Sequence, residues 1–546
     1  MSVSATERTR ILLQKQLDSA KTQTERNQLG QFATPTALAT DIVESAQALL
    51  PSDCKIRFLD PAFGTGSFYS ALLQQLPLSQ IASAVGYEID PHYGNEAIKL
   101  WKNTPLQLKI ADFLTATPPN SNEAKANLLI CNPPYIRHHH LSKEKKLWLQ
   151  RTTEQIAGIK ISGLAGIYGY FMCMSDAWIA PSGLAGWLIP SGFMDVNYGQ
   201  QIKYYLLNNI TLLRVHPFKP NDVQFKDALV SSAFLWLRKA TPPANHVVAF
   251  TYGGSLAAPN YKELIPVEVL RHTAKWTQFG LVSSSRSSDS QLLLLSNTTS
   301  SSKSIPVLGN SNSKAESLKL KDLFTIKRGL ATGANHFFLL TPEQVYQYQI
   351  PPEFLKPILP SPRYLTVDEI EADSVGNPLR ERQLFLLTCY LPEDEVKAKY
   401  PTLWNYLQLG VETGIDNRYL CRHRSPWYSQ ENRPPSPFLC TYMGRQNTSR
   451  GKPFRFILNH SRATATNVYL MLYPKPALEK ALSHKPERLK QVWQALNQIS
   501  DEILMGEGRV YGGGLHKLEP KELGLAIVPS AALADFNFKT NWEKAD

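Results

Sequence analysis

Cysteine is scarce in this chain of 546 residues: six are scattered along it, none at the spacing of a disulfide framework or a cysteine-based zinc site. That excludes a small disulfide scaffold and suits a reducing cytoplasm. Long hydrophobic runs are missing too. No apolar stretch reaches the roughly 20 residues that a bilayer-spanning helix needs, and the polar, mixed-charge N-terminus does not read as a secretory signal. A cytoplasmic protein without a membrane partner is expected. There is no internal repeat, which argues against a solenoid. Negative charge is in short supply: 58 Lys and Arg face 46 Asp and Glu, a formal net charge of +12, which suits a polyanionic partner. Hydrophobic residues, at 43%, suffice for cores in two or three domains at this length.

What is present is concentrated in short motifs. The most informative is Asn132-Pro133-Pro134-Tyr135, at the end of the apolar run 127–131. An apolar run stopped by two prolines reads as a buried strand ending at the carboxyl edge of a sheet. Neither proline donates a backbone hydrogen bond and each holds φ at about −65°, so the carbonyls there are free and rigidly held. Asn132 adds an amide oxygen and Tyr135 a flat aromatic face. Two fixed acceptors beside a stacking ring suit an exocyclic amino group on a planar ring, such as N6 of adenine. A plain strand-terminating turn with a packed tyrosine is the ordinary alternative.

Upstream, 55–59 reads as a strand entering Asp60-Pro61-Ala62-Phe63-Gly64-Thr65-Gly66-Ser67-Phe68, with a helix from Ser70. Strand, glycine turn and helix open a nucleotide-type site, where Gly64 and Gly66 let the backbone approach a ligand. A third glycine is absent, and so is a phosphate-cradling lysine. Asp60 at the strand end matches a cationic, amino-bearing ligand better than a pyrophosphate. A second strand, 81–88, ends in Glu88, 24 positions past Gly64, close to the offset at which α/β nucleotide folds place an acid on ribose hydroxyls. Asp112 and Phe113, after 108–111, could grip an adenine amino group and ring. Each has an ordinary reading: Glu88 a solvated strand end, Asp112 a helix cap, Phe113 core. Four strand-end features in the right order weigh against coincidence.

Together, Asp60 to Ser67, Gly86-Tyr87-Glu88, Ala111-Asp112-Phe113 and Asn132 to Tyr135 resemble motifs I to IV of the S-adenosylmethionine-dependent DNA amino-methyltransferases. Residues 27–35, Asn-Gln-Leu-Gly-Gln-Phe-Ala-Thr-Pro, resemble motif X, which closes over the methionine end of the cofactor. Cofactor motifs first, catalytic motif second and a long C-terminal remainder is the γ-type order of TaqI-like adenine-N6 methyltransferases. Tyr168 to Phe171 and Gly186 to Phe193 are similar to the helix and strand that complete the cofactor half, so the likeness runs over 25–240.

The resemblance implies a doubly wound, mostly parallel Rossmann-like α/β sheet plus a C-terminal α+β target-recognition domain. It implies S-adenosylmethionine as cofactor, double-stranded DNA as partner, and a bacterial, cytoplasmic monomer acting separately from a cognate restriction endonuclease. Thr34, Asp60, Ala62, Gly64, Gly66, Glu88, Asp112 and Phe113 would bind the cofactor. Asn132, Pro133, Pro134 and Tyr135 would carry direct methyl transfer, with Tyr135 and Phe225 stacking on a flipped-out adenine. Cytosine N4 asks for the same acceptors, although serine usually opens the motif there. Enzymes that methylate RNA or protein amides share the signature but leave the long basic C-terminal region unexplained. A cysteine-based cytosine-C5 mechanism does not fit: Cys131 precedes the motif on the buried strand, and no Pro-Cys nucleophile occurs.

The expected domains are an N-terminal helical arm (1–24), a catalytic domain (25–243), a Ser-rich linker of long loops (244–315) and a target-recognition domain (316–546). Between 417 and 463 arginines and aromatics crowd together. Arginine forks there can contact phosphates or guanine edges, and asparagines such as Asn447 and Asn459 can read adenine. Arg424, Arg445, Arg450 and Arg455 are the DNA-contact candidates, with Arg137 just after the catalytic motif. His138-His139-His140 follows it, but adjacent histidines cannot all face one ion without strain, so no metal site is expected.

Overall fold

In a computed structural model of the protein, the structure describes residues 3–218, 231–279, 318–379, 382–445, 452–483, 485–511 and 515–529. The chain forms two compact units, 1–305 with 511–513 and 306–510 with 514–546.

The first unit is built on nine strands: β1 (Ile56–Asp60), β2 (Ile81–Glu88), β3 (Leu106–Ile110), β4 (Ala126–Cys131), β5 (Ile179–Pro190), β6 (Thr211–Pro217), β7 (Ser232–Arg238), β8 (Val247–Gly254) and β9 (Pro259–Pro266). They form one sheet in the order β3-β2-β1-β4-β5-β7-β6-β8-β9. The first five are parallel, β7 runs antiparallel between β5 and β6, β8 is parallel to β6, and β9 folds back on β8. Strand order reverses at β1, whose neighbours are β2 and β4, and ligands of such sheets sit in the crevice at that switch point.

Alternate side chains explain why these strands read as continuous apolar runs. Phe58, Leu128, Ile130, Leu188 and Trp236 enter one core layer, while Leu59, Leu129, Cys131, Trp187 and Leu235 enter the other. Helices Thr36–Gln47 and Ser67–Gln75 contribute to the first layer; Lys143–Ala157, Ile167–Met174 and Gln200–Asn208 contribute to the second. Gly186 of β5 has to be glycine, because a Cβ there would lie 2.7 Å from both Phe234 and Trp236 of β7.

Two expected boundaries are corrected. The first unit does not stop at the Pro242-Pro243 pair, which is only the connection between β7 and β8. Val248, Phe250 and Ile265 beyond it are buried, so β8 and β9 extend the sheet where a linker was expected. The Ser-rich tracts at 283–302 lie outside the described residues. Nor is the N-terminal segment a separate arm: helix Val3–Ser19 packs on helices Ser67–Gln75 and Pro91–Trp101 of the same unit.

The second unit has the expected α+β character. Its five-stranded sheet runs Phe324–Arg328, Tyr469–Pro474, Phe438–Thr441, Phe456–Asn459 and Glu369–Ile370; all neighbours are antiparallel except the last pair. Leu478, Val492, Leu496 and Leu504, from three short helices, pack with Phe438, Cys440 and Leu470 of the sheet. Among the described residues, no helix is long and apolar enough to cross a membrane.

Candidate active site

The carboxyl ends of β1, β2 and β4 open into a cavity of about 300 Å³ lined by Asp60 to Thr65, Glu88, Ala111 to Phe113, Asn132, Pro134 and the segment Leu29 to Thr34. That is at the small end of ligand sites. Thr34, Asp60, Ala62, Gly64, Glu88, Asp112 and Phe113 all reach it. Gly66 does not; it starts helix Ser67–Gln75 at φ 89°, and the Phe63 ring occupies the space its Cβ would take, 2.6 Å away. The same ring lies 2.6 Å from where a Gly86 Cβ would be. Phe63 at the centre of the loop therefore requires both glycines.

The carboxylates brace this loop. Glu88 accepts from the Gly64 amide (2.8 Å) and the Asp90 amide (2.8 Å), and Asp60 accepts from the Ala62 amide (3.1 Å). Asp60 is 1% exposed. Burial, reinforced by the charge of Glu88, pushes its pKa up to about 8, and burial raises Glu88 as well. Burial and the nearby Asp60 push the Cys131 thiol well up, so this cysteine is core rather than nucleophile. Around the cavity Asp18 is paired with Arg26 at 3.8 Å and Asp112 with Lys145, while Asp60 and Glu88 have no ion pair among the described residues. A cationic ligand would relieve that imbalance.

At the far end, Asp112 caps the turn Phe113–Thr115 by accepting from Leu114 N (3.0 Å), and its other oxygen pairs with Lys145 Nζ at 2.9 Å. Phe113 belongs to an aromatic cluster with Tyr87, Phe171 and Trp178, at centroid distances of 5.3, 5.8 and 5.0 Å. The ordinary readings of both residues therefore hold geometrically, while both still line the cavity.

The loop Asn132 to Tyr135 is set by a segment that precedes it in sequence by a hundred residues. Helix Gln23–Leu29 starts with a Thr22–Glu25 capping box and ends at Gly30, whose φ of 64° suits glycine. A Cβ on Gly30 would lie 2.4 Å from Tyr135 N, so the two backbones cross in contact. Beyond the crossing, the Asn132 amide nitrogen donates to Phe32 O (2.9 Å) and Thr34 Oγ1 (3.2 Å). Because the Phe32 carbonyl can only accept, the nitrogen must face it. Asn132 Oδ1 is thereby turned away; it is buried and has no hydrogen-bond partner. Buried acceptors are rarely left so without a reason.

Tyr135 is half-buried, its ring 6.0 Å from Phe32 and its hydroxyl donating to Leu188 O at 3.3 Å. Phe225 lies outside the described residues. Arg137 is exposed, just before the turn His138–His140.

Three contributors escape sequence reasoning. Gln14 and Asp18 of the N-terminal helix and Lys145 of helix Lys143–Ala157 all line the cavity. No motif marks them; tertiary docking alone brings them there.

In the second unit the arginine tract is corrected in part. Arg424 donates to the Ala331 (2.6 Å) and Thr332 (2.8 Å) carbonyls. Arg455 grips Asp368 and donates to the Leu365 carbonyl at 3.0 Å. Both guanidiniums close loops whose carbonyls have no sheet partner, which composition could not reveal. Asn459 is likewise spent on the Ser436 and Ala463 carbonyls, at 3.2 and 3.1 Å. Arg445 is exposed on a strand of a three-stranded ribbon, while Asn447 and Arg450 lie outside the described residues. Ligand atoms of Glu369, Glu371 and His460 lie within 4.8 Å of one another, but Lys490 Nζ already sits 2.9 Å from the Glu369 carboxylate.

Residues 76–224 match the family model of the Eco57I restriction-modification methylase, and residues 296–545 match that of the Type II methyltransferase M.Eco57I, C-terminal domain. The chain is 27% identical over 484 residues to the Type II methyltransferase M.XamI of Xanthomonas campestris pv. amaranthicola, covering 87% of this chain and 80% of that protein. It is 24% identical over 522 residues to the Type II methyltransferase M.AccI of Acinetobacter calcoaceticus, covering 93% and 87%. Among solved structures, the Type IIL restriction-modification enzyme MmeI in complex with DNA is 11% identical, with a TM-score of 0.47 over 81% of this chain and 60% of that one. So distant a likeness adds nothing to the topology seen directly.

Proposed function

We propose that the chain is an Eco57I-type restriction-modification methylase, as the two family models and the Type II methyltransferase relatives support, and that it methylates N6 of a flipped-out adenine in duplex DNA. Its cofactor is S-adenosylmethionine and its reaction is methyl transfer to DNA. The residues fit this cofactor: Asp60, buried without an ion pair, would be held ionised by a cationic ligand, and Glu88 and Asp112 stand at the strand ends suited to ribose and adenine. When bound, S-adenosylmethionine supplies an activated methyl group, so the protein needs no covalent intermediate.

The observation that carries the reading is the unpartnered Oδ1 of Asn132. With both amide hydrogens committed to Phe32 and Thr34, this side chain can offer its substrate only an acceptor. It therefore calls for a hydrogen-bond donor, and an N–H fits that need. An exocyclic amino group presents two, and the Pro133 carbonyl is the natural acceptor of the second. Accepting both localises a lone pair that would otherwise spread into the ring, a preorganised electrostatic device. Asp60 would hold the cationic end of the cofactor, and in-line placement adds its own share. A stacked base cannot reach a cavity at a sheet edge, so the target must leave the duplex, with Tyr135 as its stacking partner.

Sequencing of modified bases in DNA from cells expressing the full chain, beside Asn132→Ala, tests this. N6-methyladenine at one short motif, absent with the variant, is the expected result. N4-methylcytosine would keep the chemistry and move the target. Unmodified DNA would overturn the reading.

A further inference from the structure

Helix Val3–Ser19 is held against the glycine loop by charge rather than by an apolar stripe. Among its described side chains the buried ones are Glu7 (6% exposed), Arg10 (3%) and Leu17. Arg10 meets Glu7 in a two-point pair, Nε and Nη2 each at 2.7 Å from a carboxylate oxygen. Its remaining donors reach Thr65 Oγ1 (3.2 Å), Ser67 Oγ (3.0 Å) and Thr36 Oγ1 (3.2 Å). Glu7 in turn accepts from Ser70 Oγ (2.5 Å) and Thr36 Oγ1 (2.6 Å). One turn further on, Gln14 accepts from Thr65 Oγ1 (2.6 Å) and donates to Asp18 (2.9 Å), which also accepts from the Tyr93 hydroxyl (2.9 Å).

This network joins three pieces far apart in sequence. They are the segment just after Thr34, the loop and helix from Thr65 to Ser70, and helix Pro91–Trp101. Five of its members, Gln14, Asp18, Thr65, Ser67 and Tyr93, line the cavity. A buried ion pair is a poor source of stability, since desolvation offsets much of the attraction and apolar residues of equal volume often serve as well. It does supply direction, because a planar guanidinium points its donors in a fixed fork. Here the fork spans the gap between the glycine loop and the segment that orients Asn132.

We propose that the N-terminal helix is a wall of the cofactor site, with Arg10 a positioning residue that fixes the glycine loop against residues 30–36 and Gln14 carrying that constraint to the ligand. The inference rests on reading the cavity as the S-adenosylmethionine pocket. It acts on cofactor binding, and no side chain of the network bonds to Asn132, whose own partners are Phe32 and Thr34.

The test uses the full-length protein and S-adenosylmethionine itself, by isothermal titration calorimetry. The double variant Glu7→Leu with Arg10→Met keeps volume and removes the fork. It should raise the cofactor Kd about tenfold or more, leave kcat at saturating cofactor within about twofold, and speed amide exchange over residues 64–67. Gln14→Leu, half-buried and clear of the ion pair, should shift Kd in the same direction by about threefold, and it decides the matter if the double variant does not fold. A Kd unchanged in folded variants, or a loss confined to kcat, overturns the proposal alone. If the wild-type chain does not bind S-adenosylmethionine, the reading of the pocket falls and the proposal with it.

Discussion

The strand-end site and the arginine tract of the second unit treat polar groups in opposite ways. At the site, polarity is held in reserve: Asn132 Oδ1 has no partner, and Asp60 and Glu88 are buried without an ion pair among the described residues. In the tract, Arg424 and Arg455 are spent on backbone carbonyls and Asp368. A group left unsatisfied by the fold is available to a ligand; a group that closes a loop is not.

The sharpest way to break that contrast is Asn132→Ala, which removes the reserved acceptor. Transfer should fall about a thousandfold or more, with cofactor Kd changed only slightly in a titration; comparable activity would show that the open acceptor does nothing. From the other side, Arg455→Ala should destabilise the protein by about 2 kcal/mol, read as a shifted urea midpoint. Unchanged stability with a large loss of DNA affinity would instead return Arg455 to the DNA-contacting set.

Charge reserve at Asp60 can be read by pH. Its carboxyl loses its proton as pH rises through about 8, and a cationic ligand prefers the ionised form. Cofactor affinity should therefore climb on the acid side of that value, by up to about tenfold per pH unit, and level off above it. Asp60→Asn should flatten the curve, and a flat wild-type profile would deny the carboxyl its role. The smallest effect is expected from Thr34→Val, which leaves the Asn132 amide held by Phe32 alone. A loss of about 1 kcal/mol, some fivefold in kcat, should be recovered by Thr34→Ser.

The parallel half of the sheet was legible because its strands are short apolar runs with glycine, proline or acid at their ends. The extent of β2 follows from its residues directly. The boundary after Pro243 was misread because a proline pair marks a turn equally well inside a domain and at its edge. Asp112 and Phe113 show how a residue can satisfy its ordinary structural role and still face the cavity; sequence offers such readings as alternatives, whereas the fold allows both.

By itself, the sequence determined the order of the candidate residues along the strand ends, because strand period, proline stops and glycine turns act over a few residues. Only the tertiary structure decided that the Asn132 amide faces a segment 100 residues earlier, that Arg10 bridges to Thr65 and Ser67 across 55 and 57 positions, and that Arg455 is consumed by Asp368. Those contacts depend on which elements dock and in what register. That is set by burial summed over the whole unit, which no local window of residues encodes.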